Sequence, residues 1–102
     1  MNPFYGLHSA VTRLNATNAS PHGPRGWYPQ EQLTRAQAFE GFTSAAAWAG
    51  FQEDKVGTLK RGMRADLIVT DRDWMRVIDA REIRETQVLA TIVDGRVVHG
   101  KL

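Results

Sequence analysis

Apolar residues recur at helical spacing at the start of the chain, at Phe4, Leu7, Val11 and Leu14. Asn2-Pro3 precedes them, an N-cap residue followed by proline at the first helical position. The pattern predicts a helix from about Pro3 to Arg13 with one apolar side. Asn15 to Gln30 breaks it, holding three of the four prolines and two glycines, and predicts a long irregular loop. Trp27 and Tyr28 within this loop imply that it packs back against another surface. Helical spacing resumes with a capping box, Thr34-Arg-Ala-Gln37, and Leu33 stands where a hydrophobic staple belongs. A second helix is expected from Arg35 to about Phe42. Thr43 or Ser44 is placed to cap a third, alanine-rich helix that runs through Trp48 and ends near Gly50.

From Val56 the period changes from helical to extended. Val56 to Leu59 reads as a short strand, Lys60-Arg61-Gly62 as a turn, and Ala65 to Thr70 as a second strand. Leu67, Ile68 and Val69 run without a polar break, which suggests burial on both faces, as in a sandwich. Asp79-Ala-Arg-Glu82 is another capping box, with Ile78 and Ile83 at the staple positions, so one helical turn is expected there. Val88 to Val93 and Arg96 to His99 read as strands joined by Asp94-Gly95. That dipeptide suits a hairpin turn because both of its positions need positive φ. The predicted class is α+β, with a division into residues 1–52 and 53–102.

Composition narrows the classes of function. At 102 residues the chain has room for one compact domain, and 42% apolar with 24% charged residues is ordinary for a globular one. Thirteen basic against eleven acidic residues leave a net charge of +2. The basic residues are scattered; Lys60, Arg61 and Arg64 are too few to form a nucleic-acid stripe, so no nucleic-acid partner is expected. No apolar run approaches the roughly 18 residues of a membrane span, so no membrane partner is expected either. The N-terminus has neither the basic region nor the apolar region of a secretory signal. With no cysteine, disulfides and thiolate metal sites are excluded, and cytoplasm and periplasm are equally open.

Candidate chemistry is sparse. His8, His22 and His99 form no His-x-His, HExxH or similar spacing, so no local metal motif exists. His8 on the flank of the first helix reads as a partly buried polar contact, and His99 as a sheet-edge residue. Asp71-x-Asp73 starts like a divalent-ion loop, but the rest of an EF-hand spacing does not follow, and a surface turn accounts for it. Asp66, between an alanine and a leucine, needs backbone donors or an arginine if buried, and Arg61 and Arg64 are near in sequence. Ser9, Ser20 and Ser44 lie outside any nucleophile elbow, and Gly57 to Gly62 lacks the ending of a phosphate loop. For Trp27, Trp48 and Trp74 the expectation is core packing. No residue is assigned as catalytic, cofactor-binding or metal-binding.

Four stretches together carry a resemblance. They are Asn2-Pro3 with Ala10-Val11-Thr12-Arg13; Leu33-Thr34 with Ala36, Ala38-Phe39, Thr43 and Ala45-Ala46; Val56-Gly57, Leu59, Gly62, Ala65-Asp66-Leu67-Ile68-Val69 and Asp71; and Ile83, Thr86, Val88, Thr91-Ile92-Val93 with Gly95-Arg96-Val97-Val98. The whole resembles the C-terminal part of the amidohydrolase superfamily, and most closely the amidohydrolase-3 branch with its N-substituted formamide deformylase-like proteins. The Gly-x-Leu-x-x-Gly-x-x-Ala-Asp-Leu signature is specific to the superfamily and silent on substrate.

That resemblance implies a (β/α)8 barrel in which one or two divalent metals, often zinc, activate water against a carbon–nitrogen bond. It implies that Pro3 to Arg13 is the last barrel helix, that the helices of Arg35 to Gly50 lead out of the barrel, and that the strands from Val56 belong to a small composite β-sandwich. The family's metal ligands are an early His-x-His, a central lysine or glutamate, two further histidines and an aspartate expected just upstream of Asn2. No position here matches them. Two readings follow. The chain is a C-terminal fragment of a metal-dependent amidohydrolase, silent alone and partnered by the rest of the barrel, or it is a stand-alone binding or assembly module. Open sheet edges predict a homo-oligomer under either.

Overall fold

The computed structural model describes residues 2–76 and 79–102. The fold is α+β, with three α-helices, two 3-10 segments and a three-stranded antiparallel sheet among the described residues. It falls into two compact units, one formed by Met1–Phe39 with Arg72–Thr86 and the other by Glu40–Asp71 with Gln87–Leu102.

The first unit is organised by α1 (Pro3–Thr12). Asn2 caps it as its sequence suggests, the side-chain Oδ1 accepting from Phe4 N at 3.0 Å. Arg13 ends it in the left-handed region (φ 61°), its N–H donating to Ser9 O. The buried stripe is Phe4, Leu7, His8 and Thr12, with Leu14 just beyond. Thr12 avoids stranding its hydroxyl by donating to His8 O and accepting from Leu14 N. The 3-10 helix Ala80–Glu85 packs on α1 and contributes the fully buried Ile83. Burying such a side chain stabilises by about 1.5–3 kcal/mol. Asp79 caps this segment by accepting from Arg81 N; the Ile78 staple position lies outside the described residues. Trp74 closes the core edge-on against Phe4 (6.1 Å, 73°) and tilted against Phe39. The Asn15–Gln30 loop is ordered by hydrogen bonds: Asn15 Oδ1 accepts from Thr17 N and Ala19 N, and Trp27 N donates to Arg13 O. A short 3-10 turn, Pro29–Glu31, leads out of it.

α2 (Arg35–Phe42) starts with the expected reciprocal capping box. Thr34 N donates to Gln37 Oε1 at 2.9 Å, and Gln37 N donates to Thr34 Oγ1 at 3.1 Å. α3 (Ser44–Ala49) follows, with Ala47 turned inward. In the second unit β1 (Leu67–Thr70), β2 (Val88–Val93) and β3 (Arg96–Gly100) form a sheet in the order β1-β2-β3. The register pairs Leu67 with Ile92, Ile68 with Thr91 and Thr91 with His99. Asp94 and Gly95 make the turn with φ of 51° and 78°, the backbone that the Asp-Gly signal predicts.

Three expectations are corrected. Val56 to Leu59 is not a strand: Gly57 adopts φ +94° against α3, which breaks extended backbone. Residues Leu67 to Val69 are not buried on both faces, since Ile68 is 46% exposed while Ala90 and Ile92 of β2 are buried. Trp27 and Trp48 are not core residues: both are exposed, and only Trp74 is buried.

Candidate functional site

The residues of the Gly-x-Leu-x-x-Gly-x-x-Ala-Asp-Leu signature converge on the β2–β3 hairpin. Asp66 Oδ1 accepts from Asp94 N at 2.8 Å, and Ala65 O accepts from Gly95 N at 3.0 Å. Arg64 donates from Nε and Nη2 to the two Asp94 oxygens, at 2.7 and 2.5 Å, a bidentate pair. Its second acidic neighbour is Asp66, at 4.0 Å. The hydrogen bond from Arg64 holds the Asp94 carboxyl below its usual range and pushes the guanidinium up. At the other end of β1, Asp71 N donates to Gln87 O and Asp71 Oδ1 accepts from Gln87 N. The two aspartates that flank β1 therefore clamp both ends of its pairing with β2. Ala65 and Asp66 lie before the strand because their polar groups are turned to the hairpin.

Gly57 explains the glycine that opens the signature. A Cβ there meets Ala47 Cβ at 2.7 Å and Thr43 O at 3.0 Å. Arg64 N closes the same loop by donating to Lys55 O at 2.8 Å.

The other candidates stand apart. His8 is fully buried rather than partly buried. Of the two orientations open to the Asn18 amide, one satisfies every neighbour: Nδ2 donates to His8 Nε2 at 2.6 Å, and Oδ1 accepts from Arg84 Nε and Nη2 at 3.0 and 3.2 Å. His22 stacks on Trp27 (5.9 Å, 26°), and Arg13 lies over the same indole at 5.7 Å. Arg13 Nε also donates to Trp27 O, so the exposed aromatic cluster rests on the C-terminal end of α1. His99 stands on the edge strand, as its sequence position suggests. Asp73 makes a surface turn, accepting from Met75 N and lying 3.6 Å from Arg76. Asp79 is drawn down to about 2 by its hydrogen bonds from Arg81. Among the described residues no three histidine or carboxylate groups are arranged to hold a metal. The Asn18 bridge and the Arg64–Asp94 pair were not legible in the sequence, because nothing in residue spacing links partners 10 or 30 positions apart.

Residues 1–99 match the family model described as the amidohydrolase family, so the chain belongs to that family. It is similar to an N-substituted formamide deformylase of Arthrobacter pascens, 39% identical over 67 residues, which cover 66% of this chain and 12% of the relative. It is also similar to Protein LONG AFTER FAR-RED 3 of Arabidopsis thaliana, 28% identical over 97 residues, 94% of this chain and 15% of that protein. The chain thus spans less than a sixth of the length of these relatives. No solved structure matches it.

Proposed function

We propose that this chain is the C-terminal portion of a longer metal-dependent amidohydrolase acting on non-peptide carbon–nitrogen bonds, and that its own role is structural. Residues 1–52 supply the helices that end a (β/α)8 barrel, and residues 53–102 supply part of a composite β-sandwich. The observation that carries this reading is how the family signature is used. Asp66, Asp71, Arg64 and Asp94 are engaged with the strand pair and its turn. The name of the deformylase relative supports a carbon–nitrogen bond as the target.

The divalent metal that such an enzyme would hold does not fit the residues present. His8 is buried against Asn18, His22 is stacked on Trp27 and His99 lies on the sheet edge, so the three imidazoles do not converge. The ligands belong to the remainder of the barrel, which is the partner this reading requires.

A second reading, a stand-alone assembly module, is favoured by the outer sheet face. Ile68, Leu89, Val93 and Val98 are exposed there, and β1 and β3 form the two edges of the sheet among the described residues. Such edges invite pairing, and a homo-oligomer follows under this reading. The DNA upstream of the Met1 codon separates the two. An open frame of roughly 250–400 residues carrying His-x-His supports the fragment, whereas an in-frame stop directly upstream supports the module and contradicts the fragment.

A further inference from the structure

A side-chain amide has one accepting end and one donating end, and Asn18 holds one toward His8 Nε2 and the other toward Arg84. Arg84 offers only N–H donors, whatever the pH. The amide oxygen therefore belongs on the Arg84 side, and its nitrogen can donate to His8 only while Nε2 carries no proton. In that state the imidazole proton sits on Nδ1, which is buried and has no partner among the described residues. Proton uptake then adds a hydrogen at one place alone, Nε2, against the Asn18 amide.

We propose that His8, Asn18 and Arg84 form a proton-sensitive toggle that couples α1 to the 3-10 helix Ala80–Glu85. With a neutral His8 ring, all contacts of the amide are satisfied. With a protonated ring, Nε2–H needs an acceptor, and the amide turns its oxygen inward to supply one. Its NH2 group then faces the Arg84 guanidinium, donor against donor, and both Arg84 bonds to Asn18 are lost. The backbone around Asn18 does not absorb the change. Asn18 N donates to Asn15 O, Asn15 N donates to Ala19 O, and Asn15 Oδ1 holds Thr17 and Ala19. The response is therefore a rotation of the amide and release of the arginine, not a drift of the loop.

Among the described residues His8 forms no ion pair with a carboxylate. The Asn15–Ala19 loop carries no ionisable side chain, and α1 carries only Tyr5 besides His8. From the 3-10 helix the facing group is the Arg84 cation. Glu85 lies 3.7 Å from Arg84 Nη2 and 3.8 Å from Arg72, and Arg81 is paired with Asp79. Arg84, once released, is left to Glu85.

The test is nuclear magnetic resonance of the 102-residue chain between about pH 8 and about pH 5, the range in which histidine commonly changes charge. The signals followed are the His8 ring nitrogens, the Asn18 side-chain amide and Arg84 Nε–H. The expected result is a pyrrole-like Nδ1 and a pyridine-like Nε2 at the upper limit. On acidification, the Asn18 and Arg84 signals move with the same midpoint as the ring. Exchange of Arg84 Nε–H with water accelerates at least tenfold, about the factor expected from one lost charge-assisted hydrogen bond. Asn18→Asp, which offers oxygens to both neighbours, keeps Arg84 Nε–H slow at both limits, and Asn18→Ala leaves it fast at both. The proposal is overturned if the ring titrates while Arg84 and Asn18 stand still, if the ring does not titrate across this range, or if the neutral ring carries its proton on Nε2.

Discussion

Replacing Gly57 by alanine tests the idea that the family signature is built for packing. The added methyl meets two things that do not yield easily: Ala47 Cβ at 2.7 Å on a helix that buries it, and the Thr43 carbonyl at 3.0 Å. The backbone there stands at φ +94°, where a non-glycine residue costs about 1–2 kcal/mol. Crowding of this kind adds about 1–3 kcal/mol. A less flexible unfolded chain returns about 0.4–1 kcal/mol. The net loss is about 2–4 kcal/mol, a large part of the roughly 5–15 kcal/mol by which a small domain is stable. In urea titration followed by tryptophan fluorescence, the midpoint should fall by about 1–4 M, given a slope of about 1–2 kcal/mol/M. Gly62 supplies the control. Its φ is +93°, but beyond its chain neighbours no atom of the described residues lies within 4 Å of the position of its Cβ, so Gly62→Ala should lose only the backbone part, about 1 kcal/mol. Adding Ala47→Gly to Gly57→Ala should recover part of the loss. Equal effects of Gly57→Ala and Gly62→Ala, with no recovery from Ala47→Gly, would refute the packing argument.

Removing the clamp residue, Asp66→Ala, leaves Asp94 N without its acceptor and should cost about 1–2 kcal/mol, read as a lower urea midpoint with faster exchange of the Asp94 amide. Phe4→Ala empties a site that is 1% exposed and should cost about 3–5 kcal/mol by thermal melting. Asp79 should titrate near 2 by carboxyl resonance, and in Arg81→Ala should return toward the ordinary 3.8. Because its folded value is depressed, the small stability it contributes is complete above about 3.8 and is lost as pH falls toward about 2.

The elements with local causes were the legible ones. Asn2-Pro3, the Thr34–Gln37 box and Asp94-Gly95 each act within four residues, and each forms the cap or turn its chemistry calls for. The misreadings come from long-range packing. Val56 and Leu59 look extended until Gly57 is pressed against Ala47, and Ile68 looks buried until the outer face of the sheet is seen open. Asp66 needed a donor, and Arg64 was the near candidate in sequence. Of the backbone donors or arginine it called for, the hydrogen bond comes from a backbone group, Asp94 N, 28 residues away, while Arg64 turns mainly to the Asp94 carboxylate. Periodicity sees the face of an element but not what arrives from elsewhere in the chain.

Under the proposed function, this chain carries the framework of an amidohydrolase and not its chemistry. The most direct measurement is to equilibrate the purified 102-residue protein with zinc, remove unbound metal, and assay bound zinc and hydrolysis of an N-substituted formamide on the same sample. The expected result is no stoichiometric zinc and no turnover above buffer. One zinc per chain together with turnover would contradict it.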